Sequence, residues 1–378
     1  MLNNEFPPLG GGTASVNLAI LKEFAKMPDI SVDLLTSATG KQYEEERFAE
    51  NVRIFRLPVH AGNIHHASNW QLLEYSVRAF LKANSLTSSF EYQSCLAWCT
   101  VPAGAVALLL YRLRGIPYLV RVSGPDLPGF EKRYHNTVRV LLPLLRQIWR
   151  KAKYVIVKCK EEAEVLEAVC PQLRLETVPN GVDTSVFYPR KEPRQLDKPF
   201  TFLSVGRLIA RKNQHLIIEA MKELRRQGIE AKLILIGEGD SKEKYQALID
   251  AYQLADCIEL RGYVPRENMP EVYREADCFV LASEAEGMSV ALLEAVASGL
   301  RLVSTTVGGI AEIVKEGPGI YLLSNPDVSS LTRSMKDCLL SFNQSQEAAG
   351  ASRIRLQCCT WSNIAWAMRR LLSEGAGS

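Results

Sequence analysis

The chain of 378 residues lacks any apolar run close to the roughly 18 residues that a membrane-spanning helix requires. Its opening stretch, MLNNEFPPLGGG, lacks the basic and apolar regions of a signal peptide. It reads instead as the tail of a first strand, begun slightly short, that runs into a loop. Cysteine is present at Cys95, Cys99, Cys159, Cys170, Cys257, Cys278, Cys338, Cys358 and Cys359, but no CxxC pair and no metal-ligand spacing occurs. An odd number of thiols in apolar contexts predicts reduced, buried, structural cysteines in a cytoplasmic protein. An excess of one charge is also missing. The 45 Lys and Arg against 42 Asp and Glu leave +3, too little for a nucleic-acid binder of this size. No GxGxxG fingerprint follows a strand, which argues against a dinucleotide site. Internal repeats and low-complexity tracts are absent as well.

What is present is an alternation of short β-rich runs with helix-period segments. ISVDLLTS, YLVRVSG, YVIVKC and LETVPNG read as strands in the first half, and FTFLSVGR, AKLILIGEG, CIELRGYV, CFVLASE and LRLVSTTVGG in the second. Between them lie helical patterns such as ASVNLAILKEFAKM and NQHLIIEAMKELRRQG. This predicts α/β architecture with parallel sheets covered by helices on both faces. The pattern breaks over TSVFYPRKEPRQLDKP, where three prolines and a charge run carry no periodicity. Two doubly wound domains are therefore expected, at 1–185 and 200–357, joined by a linker at 186–199. An amphipathic helix closes the chain within 358–378.

Four segments could carry chemistry. PPLGGGTASVNLAILKEFAKM places Gly11 and Gly12 between a strand and a helix, where backbone can approach a ligand and free N–H groups can meet an anion. A flexible turn explains the same glycines. SVGRLIARKNQHL ends a strand at Gly206 and then offers Arg207 and Lys212 at the carboxyl edge of a parallel sheet, where such sheets bind ligands. An Arg fork and a Lys point charge suit a diphosphate, while Arg211 makes a merely solvated basic loop the competing reading. LILIGEGD brings Gly237 to a close-approach turn. The fourth segment, RGYVPRENMPEVYREADCFVLASEAEGMSVALLEA, contains a turn at Gly262 and two acids eight positions apart, Glu286 and Glu294.

The spacing places Glu286 in a strand-to-helix loop and Glu294 about one turn inside a helix that begins near Met288, Ser289 or Val290. The N–H groups at that helix start can hold a phosphate, and a carboxylate one turn deeper can accept from ribose hydroxyls. A surface acid explains Glu286 easily. Glu294 sits among Leu292, Leu293, Ala295 and Val296, and a buried acid needs partners.

SVGRLIARKN, LILIGEGD and EAEGMSVALLEAVASG followed by VSTTVGGIAEIV resemble the retaining glycosyltransferases of family 4, which have the GT-B fold. VPNGVDTSVFYP and FPPLGGGTASVNLAILKEFAK extend the resemblance over nearly the whole chain. It implies two Rossmann-like domains facing across a cleft. It also implies a nucleoside diphosphate sugar donor (UDP or GDP) and a saccharide or lipid-linked acceptor. Arg207 and Lys212 would hold the diphosphate, Glu286 the transferred sugar, and Glu294 the ribose. Backbone near Gly262 and Val264 would hold the base, Gly11 and Gly12 would close over the phosphates, and the last helix, from near Trp361, would return to the N-terminal domain. Many relatives carry a histidine where YLVRVSGPDLPGF has Ser123. Asp126 is the nearest polar replacement, and His65 and His66 are further candidates on the acceptor side. No DxD motif lies on this crevice, so no metal and no cofactor are expected. No side chain stands out as a nucleophile, and the family implies front-side attack in which the departing phosphate takes the acceptor proton. An epimerase or hydrolase on the same fold, or a non-catalytic nucleotide-sugar binder, are the rival functions.

Residues 131–160 carry nine Lys or Arg and one acid around Val140, Leu141, Leu142, Leu144, Leu145, Ile148 and Trp149. Such a helix suits peripheral contact with an anionic membrane at its cytoplasmic face. The same apolar series also suits the buried face of a domain helix, with Pro143 kinking or starting it.

Overall fold

A computed structural model describes residues 1–59, 68–130, 135–191, 198–341 and 356–374. His65, His66, Lys132, Arg133 and residues 192–197 of the expected linker lie outside the described residues. The chain divides into two compact units, 1–180 together with 361–378, and 181–360.

The first unit runs α1 (Gly12–Phe24), β1 (Val32–Ser37), β2 (Glu44–Ala49), β3 (Val52–Leu57), α2 (Asn69–Ser89), β4 (Cys95–Trp98), α3 (Ala105–Arg114), β5 (Tyr118–Arg121), α4 (His135–Lys151), β6 (Tyr154–Val157), α5 (Lys160–Val169) and β7 (Leu175–Thr177). Its strands lie in the orders β1-β3-β2 and β4-β5-β6-β7, and Leu2 bridges the two groups by pairing in parallel with Leu35 and Ala97. The stub of strand expected at the N-terminus is thus Leu2 and its neighbours.

Pairing is parallel except between β2 and β3, which is antiparallel. That corrects the expectation of purely parallel sheets. The Glu44–Arg47 run has no apolar period, and it forms an exposed edge strand whose charges suit an unpaired edge. Strands β2 and β4 carry a weak sequence signal, since one is charged and the other has four residues.

The second unit runs β8 (Phe200–Val205), α6 (Gln214–Arg226), β9 (Ala231–Ile236), α7 (Lys242–Ala251), β10 (Ile258–Gly262), α8 (Met269–Glu275), β11 (Cys278–Leu281), α9 (Val290–Ala297), β12 (Arg301–Thr305), α10 (Ile310–Ile313), β13 (Ile320–Leu323) and α11 (Val328–Leu340). Its six strands are all parallel, in the order β10-β9-β8-β11-β12-β13. The final helix, α12 (Trp361–Ser373), belongs to the first unit. It buries Trp361, Ile364, Ala365, Met368 and Leu371 on one face and packs against α1.

The expected linker needs correction at its start. Phe187 is buried and stacks edge-on against Tyr273 at 5.6 Å, and Arg190 pairs with Asp277 at 2.9 Å. An aromatic anchor and an ion pair fix this stretch to the second unit, and the division falls at 180/181 instead. The cysteine expectation also fails at one position. Cys358 is exposed, Cys99 and Cys257 are half-buried, and the other six are buried.

Polar burial in the first unit concentrates beneath the ends of β5 and β6. Arg121 donates to the carbonyls of Val178 (2.8 Å) and Pro179 (3.2 Å) and to Asn180 Oδ1 (2.9 Å), and burial pushes its guanidinium down to about 10. Lys158 Nζ lies 2.7 Å from Glu162 Oε1, and Glu162 Oε2 accepts from the Lys158 amide at 2.8 Å. Removing one partner of a buried pair leaves an uncompensated charge, so Glu162→Ala is expected to cost about 3–5 kcal/mol. All five tryptophans, Trp70, Trp98, Trp149, Trp361 and Trp366, lie in this unit. Denaturant titration followed by tryptophan emission therefore reads this cost for the first unit; a midpoint within error of wild type would refute it.

Candidate functional site

In the second unit the chain winds one way from β8 through β10 and the other way from β11 through β13. The reversal falls between β8 and β11, and these strands pair only at Cys278–Phe202 and Phe279–Leu203. Beyond that point the two strands are not paired. A crevice at such a switch point is where open α/β sheets bind ligands. The segments leaving it are Gly206–Asn213 after β8 and Ser283–Ser289 after β11, so two of the four sequence candidates converge here.

Lys212 and Glu286 meet as an ion pair, with side chains 12% and 10% exposed. Ser283 Oγ donates to the same Glu286 oxygen at 2.7 Å. Burial drives the Glu286 pKa up, but the Lys212 ammonium, the Ser283 hydroxyl and nearby Arg211 outweigh it, so the carboxyl lies below its ordinary range. Glu286 is therefore an enclosed carboxylate and not a surface acid. Arg211 is not a solvated loop cation either. It donates to the Ala285 carbonyl, and its own carbonyl accepts from the Glu284 amide at 2.9 Å, which ties the two loops together. Arg207 is half-buried, and its guanidinium makes no hydrogen bond or ion pair among the described residues. One paired and one unpaired cation thus line the same strand edge.

Glycine is required here for backbone crossing. Gly237 has φ +140°, and a β-carbon on it would stand 2.0 Å from the Gly206 carbonyl oxygen. The Gly206 amide donates to Ile236 O at 3.0 Å, and the Leu208 amide to Glu238 O at 2.9 Å. The Lys212 ammonium folds to 3.6 Å from the position of a Gly206 β-carbon. Gly308, at φ +63°, would place a β-carbon 2.3 Å from the Glu286 carbonyl oxygen, so it holds the acid-bearing loop from below.

Ser289 caps α9, its Oγ accepting from the Leu292 amide at 3.3 Å, and Val290 opens the helix. The side chains of Met288 and Ser289 are buried. Glu294 lies one turn in and is 4% exposed. Its partners are residues that the spacing did not reveal. Tyr273 Oη lies 3.0 Å from Oε2, and Arg266 Nη2 lies 3.0 Å from Oε1. The Arg266 contact is an ion pair outside hydrogen-bond alignment, so Oε1 keeps acceptor capacity. Burial raises the Glu294 pKa, and Arg266 and Tyr273 offset only part of the rise. With these two partners the burial of Glu294 is explained without a ligand.

On the other side of β8, Gly262 has φ +77° and its carbonyl accepts from the Gly237 amide at 2.8 Å. Glu238 Oε1 accepts from Lys242 at 2.8 Å and from the Tyr263 amide at 3.3 Å, with Tyr263 68% exposed and Val264 half-buried beside it. Glu238, Tyr263, Ser283, Arg266 and Tyr273 are the residues that sequence reasoning missed. The GYVPRENMPEVY stretch held three of them, but only folding shows which side chains point to Glu294.

The first unit also has its winding reversal, between the Leu2 bridge and β4. Gly11 and Gly12 follow it, both exposed and Gly12 opening α1, and β-carbons on either would meet nothing within 4 Å. Only Gly10 of the three glycines has positive φ. Asp126 is buried, with Oδ2 accepting from the Thr100 amide (2.9 Å), the Ser123 amide (2.8 Å) and Ser123 Oγ (3.0 Å). Burial raises its pKa against those hydrogen bonds. Asp126 and Ser123 thus brace one another and the turn after β4.

The basic helix α4 divides between the two readings offered for it. Leu145, Ile148 and Trp149 are core, with Trp149 Nε1 donating to Thr100 Oγ1 at 2.9 Å. Arg146 donates to Val169 O at 3.0 Å, Lys153 to the Leu371 carbonyl at 2.9 Å, and Lys158 is the buried partner of Glu162. Those three cations and Leu145, Ile148 and Trp149 are therefore not available to a membrane. Among the described residues no helix is long and apolar enough to cross one.

Two family models match the chain. "Glycosyltransferase Family 4" covers residues 10–186, and "Glycosyl transferases group 1" covers residues 189–353. A Salmonella typhimurium protein named as the colanic acid biosynthesis glycosyltransferase WcaL is 28% identical over 72% of this chain and 70% of its own. The GDP-mannose-dependent alpha-(1-6)-phosphatidylinositol monomannoside mannosyltransferase of Mycolicibacterium smegmatis is 24% identical over 90% of this chain and 88% of its own. Among solved structures, Anabaena HepE in complex with UDP-glucose superposes with a TM-score of 0.75 at 17% identity, covering 98% of each chain. At that identity the likeness is one of fold.

Proposed function

The chain belongs to the group 1, family 4 glycosyltransferases of GT-B fold, and from that premise we propose that it moves a glycosyl group from a nucleoside diphosphate sugar to an acceptor hydroxyl with retention at the anomeric carbon. The base is uracil or guanine, since relatives and structural neighbours are named with GDP-mannose or UDP-glucose. The acceptor is a saccharide or a lipid-linked saccharide, and the proposed site of action is cytoplasmic.

The observation that carries this reading is the switch-point crevice with an unpaired Arg207 beside the Lys212–Glu286 pair. In the reaction the bond from the anomeric carbon to the diphosphate oxygen breaks as the acceptor oxygen bonds to the same carbon. Negative charge grows on the departing diphosphate, which takes the acceptor proton. Arg207 and Lys212 meet that charge, together with the start of α9 near Ser289 and Val290. Glu286 faces the sugar, Glu294 accepts from the ribose, and backbone at Gly262 and Val264 faces the base. In the first unit, Gly11 and Gly12 are proposed as donor-side backbone, and Ser123 and Asp126 as the acceptor side.

The test is turnover of a radiolabelled donor, screened over UDP- and GDP-sugars, with saccharide and lipid-linked acceptors. Label in an acceptor product supports the proposal. Release of free sugar alone, an isomerised donor, or binding without turnover would replace it with hydrolysis, epimerisation or a binding role.

A smaller effect checks the ribose assignment. Glu294→Ala is expected to weaken nucleoside diphosphate binding about 10- to 100-fold, the range for a hydrogen bond to a charged group. The pH dependence follows from the raised pKa. Affinity is full while Glu294 is ionised and falls as pH drops through a value above 4.5, where protonation removes an acceptor. Calorimetric titration should show that limb in the wild type and not in Glu294→Gln. An identical pH profile in both would refute the assignment.

A further inference from the structure

Helix α2 carries an apolar stripe on its solvent side. Trp70, Leu73, Val77 and Leu81 recur at i, i+3, i+7 and i+11, so they share one face. They are 79, 53, 52 and 60% exposed. The opposite face, Tyr75, Ala79, Ala83 and Leu86, already supplies the core. Eleven residues of helix span about 16 Å. Four large side chains in one row differ from the singly scattered apolar residues of an ordinary surface.

The neighbouring helices continue this surface and give it a sign. Helix α3 packs against both α2 and α4, and Arg114 reaches Asn84 and Ser88 of α2 at 2.8 and 3.4 Å. Leu113 on α3 and Val140 on α4 add further exposed aliphatic area. Together α2, α3 and α4 hold eight Lys and Arg and a single acid, Glu74, which is paired with Arg78 at 2.8 Å. Arg112, Arg139, Arg150 and Lys151 are exposed, and their own helices carry no carboxylate.

We infer that this α2–α4 surface seats on an anionic lipid bilayer, with the Trp70–Leu81 stripe entering the headgroup boundary and the exposed cations meeting lipid phosphates. Apolar side chains beside Lys and Arg are what an interfacial helix needs. A second copy of the chain would satisfy the stripe but would set cations against cations across a two-fold contact. A bilayer supplies an apolar interior and the counter-charge at once. The inference deepens the acceptor reading above and rests on it only for the lipid-linked acceptor.

The experiment is co-sedimentation of the full chain with phosphatidylcholine vesicles, with and without one-third phosphatidylglycerol. At low salt the anionic vesicles are expected to bind at least about tenfold more strongly than the neutral ones, with the gain falling at high salt. Leu73→Glu/Leu81→Glu is expected to lose that binding, and Arg139→Gln/Arg150→Gln to lose its salt-sensitive part. Each substitution is on the surface of the first unit, so folding is checked there by an unchanged denaturant midpoint in tryptophan emission. Absence of binding at low salt, or unchanged binding in Leu73→Glu/Leu81→Glu, would overturn the inference. So would a wild-type dimer in sedimentation velocity that the same variant dissociates. Turnover on a soluble acceptor should be untouched in both variants. Lack of turnover in the wild type would sink the transfer reading and leave vesicle binding standing.

Discussion

Arg207→Ala is expected to lower kcat by about 10²–10³, the loss that follows removal of one preorganised charge stabiliser. Its guanidinium is half-buried and carries no internal counterion among the described residues. Nothing in the free protein has to be broken before it meets an anion. Lys212 differs, because Glu286 already holds it. The departing diphosphate gains charge in the transition state, so the loss should appear in kcat and kcat/KM together, with a smaller change in donor affinity. Thermal unfolding of the variant should match wild type, since no described contact of the side chain is lost. Near-normal turnover in the folded variant would remove Arg207 from the machinery.

Glu286→Ala is the second large effect, and its two readouts should move in opposite directions. Transfer should fall by about 10²-fold, because the carboxylate assigned to the sugar is gone. Nucleoside diphosphate affinity should hold or tighten by a few-fold, because Lys212 is released to the incoming anion. The geometry is specific: Lys212 and Ser283 both meet Glu286 Oε1, inside a pair only about one-tenth exposed. Leaving Lys212 unpaired costs stability in the free variant, and the diphosphate should restore it, raising Tm more than it does in wild type. Glu286→Gln keeps the shape and should retain more stability with similarly poor transfer. If Glu286→Ala loses the diphosphate as badly as Glu294→Ala, the division of labour between the two acids is wrong.

The contrast between those acids shows how far linear pattern reaches. Both were singled out by position alone, one before a glycine and one inside an apolar helix. The structure makes Glu286 the more enclosed charge pair and gives Glu294 two partners, Tyr273 and Arg266, about twenty and thirty residues upstream. Spacing cannot report such contacts, since α8 and α9 come side by side only when β11, the strand between them in the chain, takes its place in the sheet. The basic run at 131–160 divides for the same reason, with Arg139, Arg150 and Lys151 left exposed. Its composition fitted a membrane helix, while packing consumed Trp149, Ile148, Arg146 and Lys153 internally. The exposed stripe formed on α2, where Trp70, Leu73, Val77 and Leu81 alternate with core residues and an amphipathic period fits either orientation.

By itself the sequence determined what local chemistry controls. The buried parallel strands of the second unit are continuous apolar runs, and α9 starts at a serine that caps it. These features depend on a few neighbouring residues and on propensity, so a linear reading captures them. Tertiary structure alone decided the antiparallel edge at β2, the division at 180/181, and the meeting of Lys212 with Glu286. Each of these joins residues far apart in the chain, through a sheet order or a burial that only the whole packed unit stabilises.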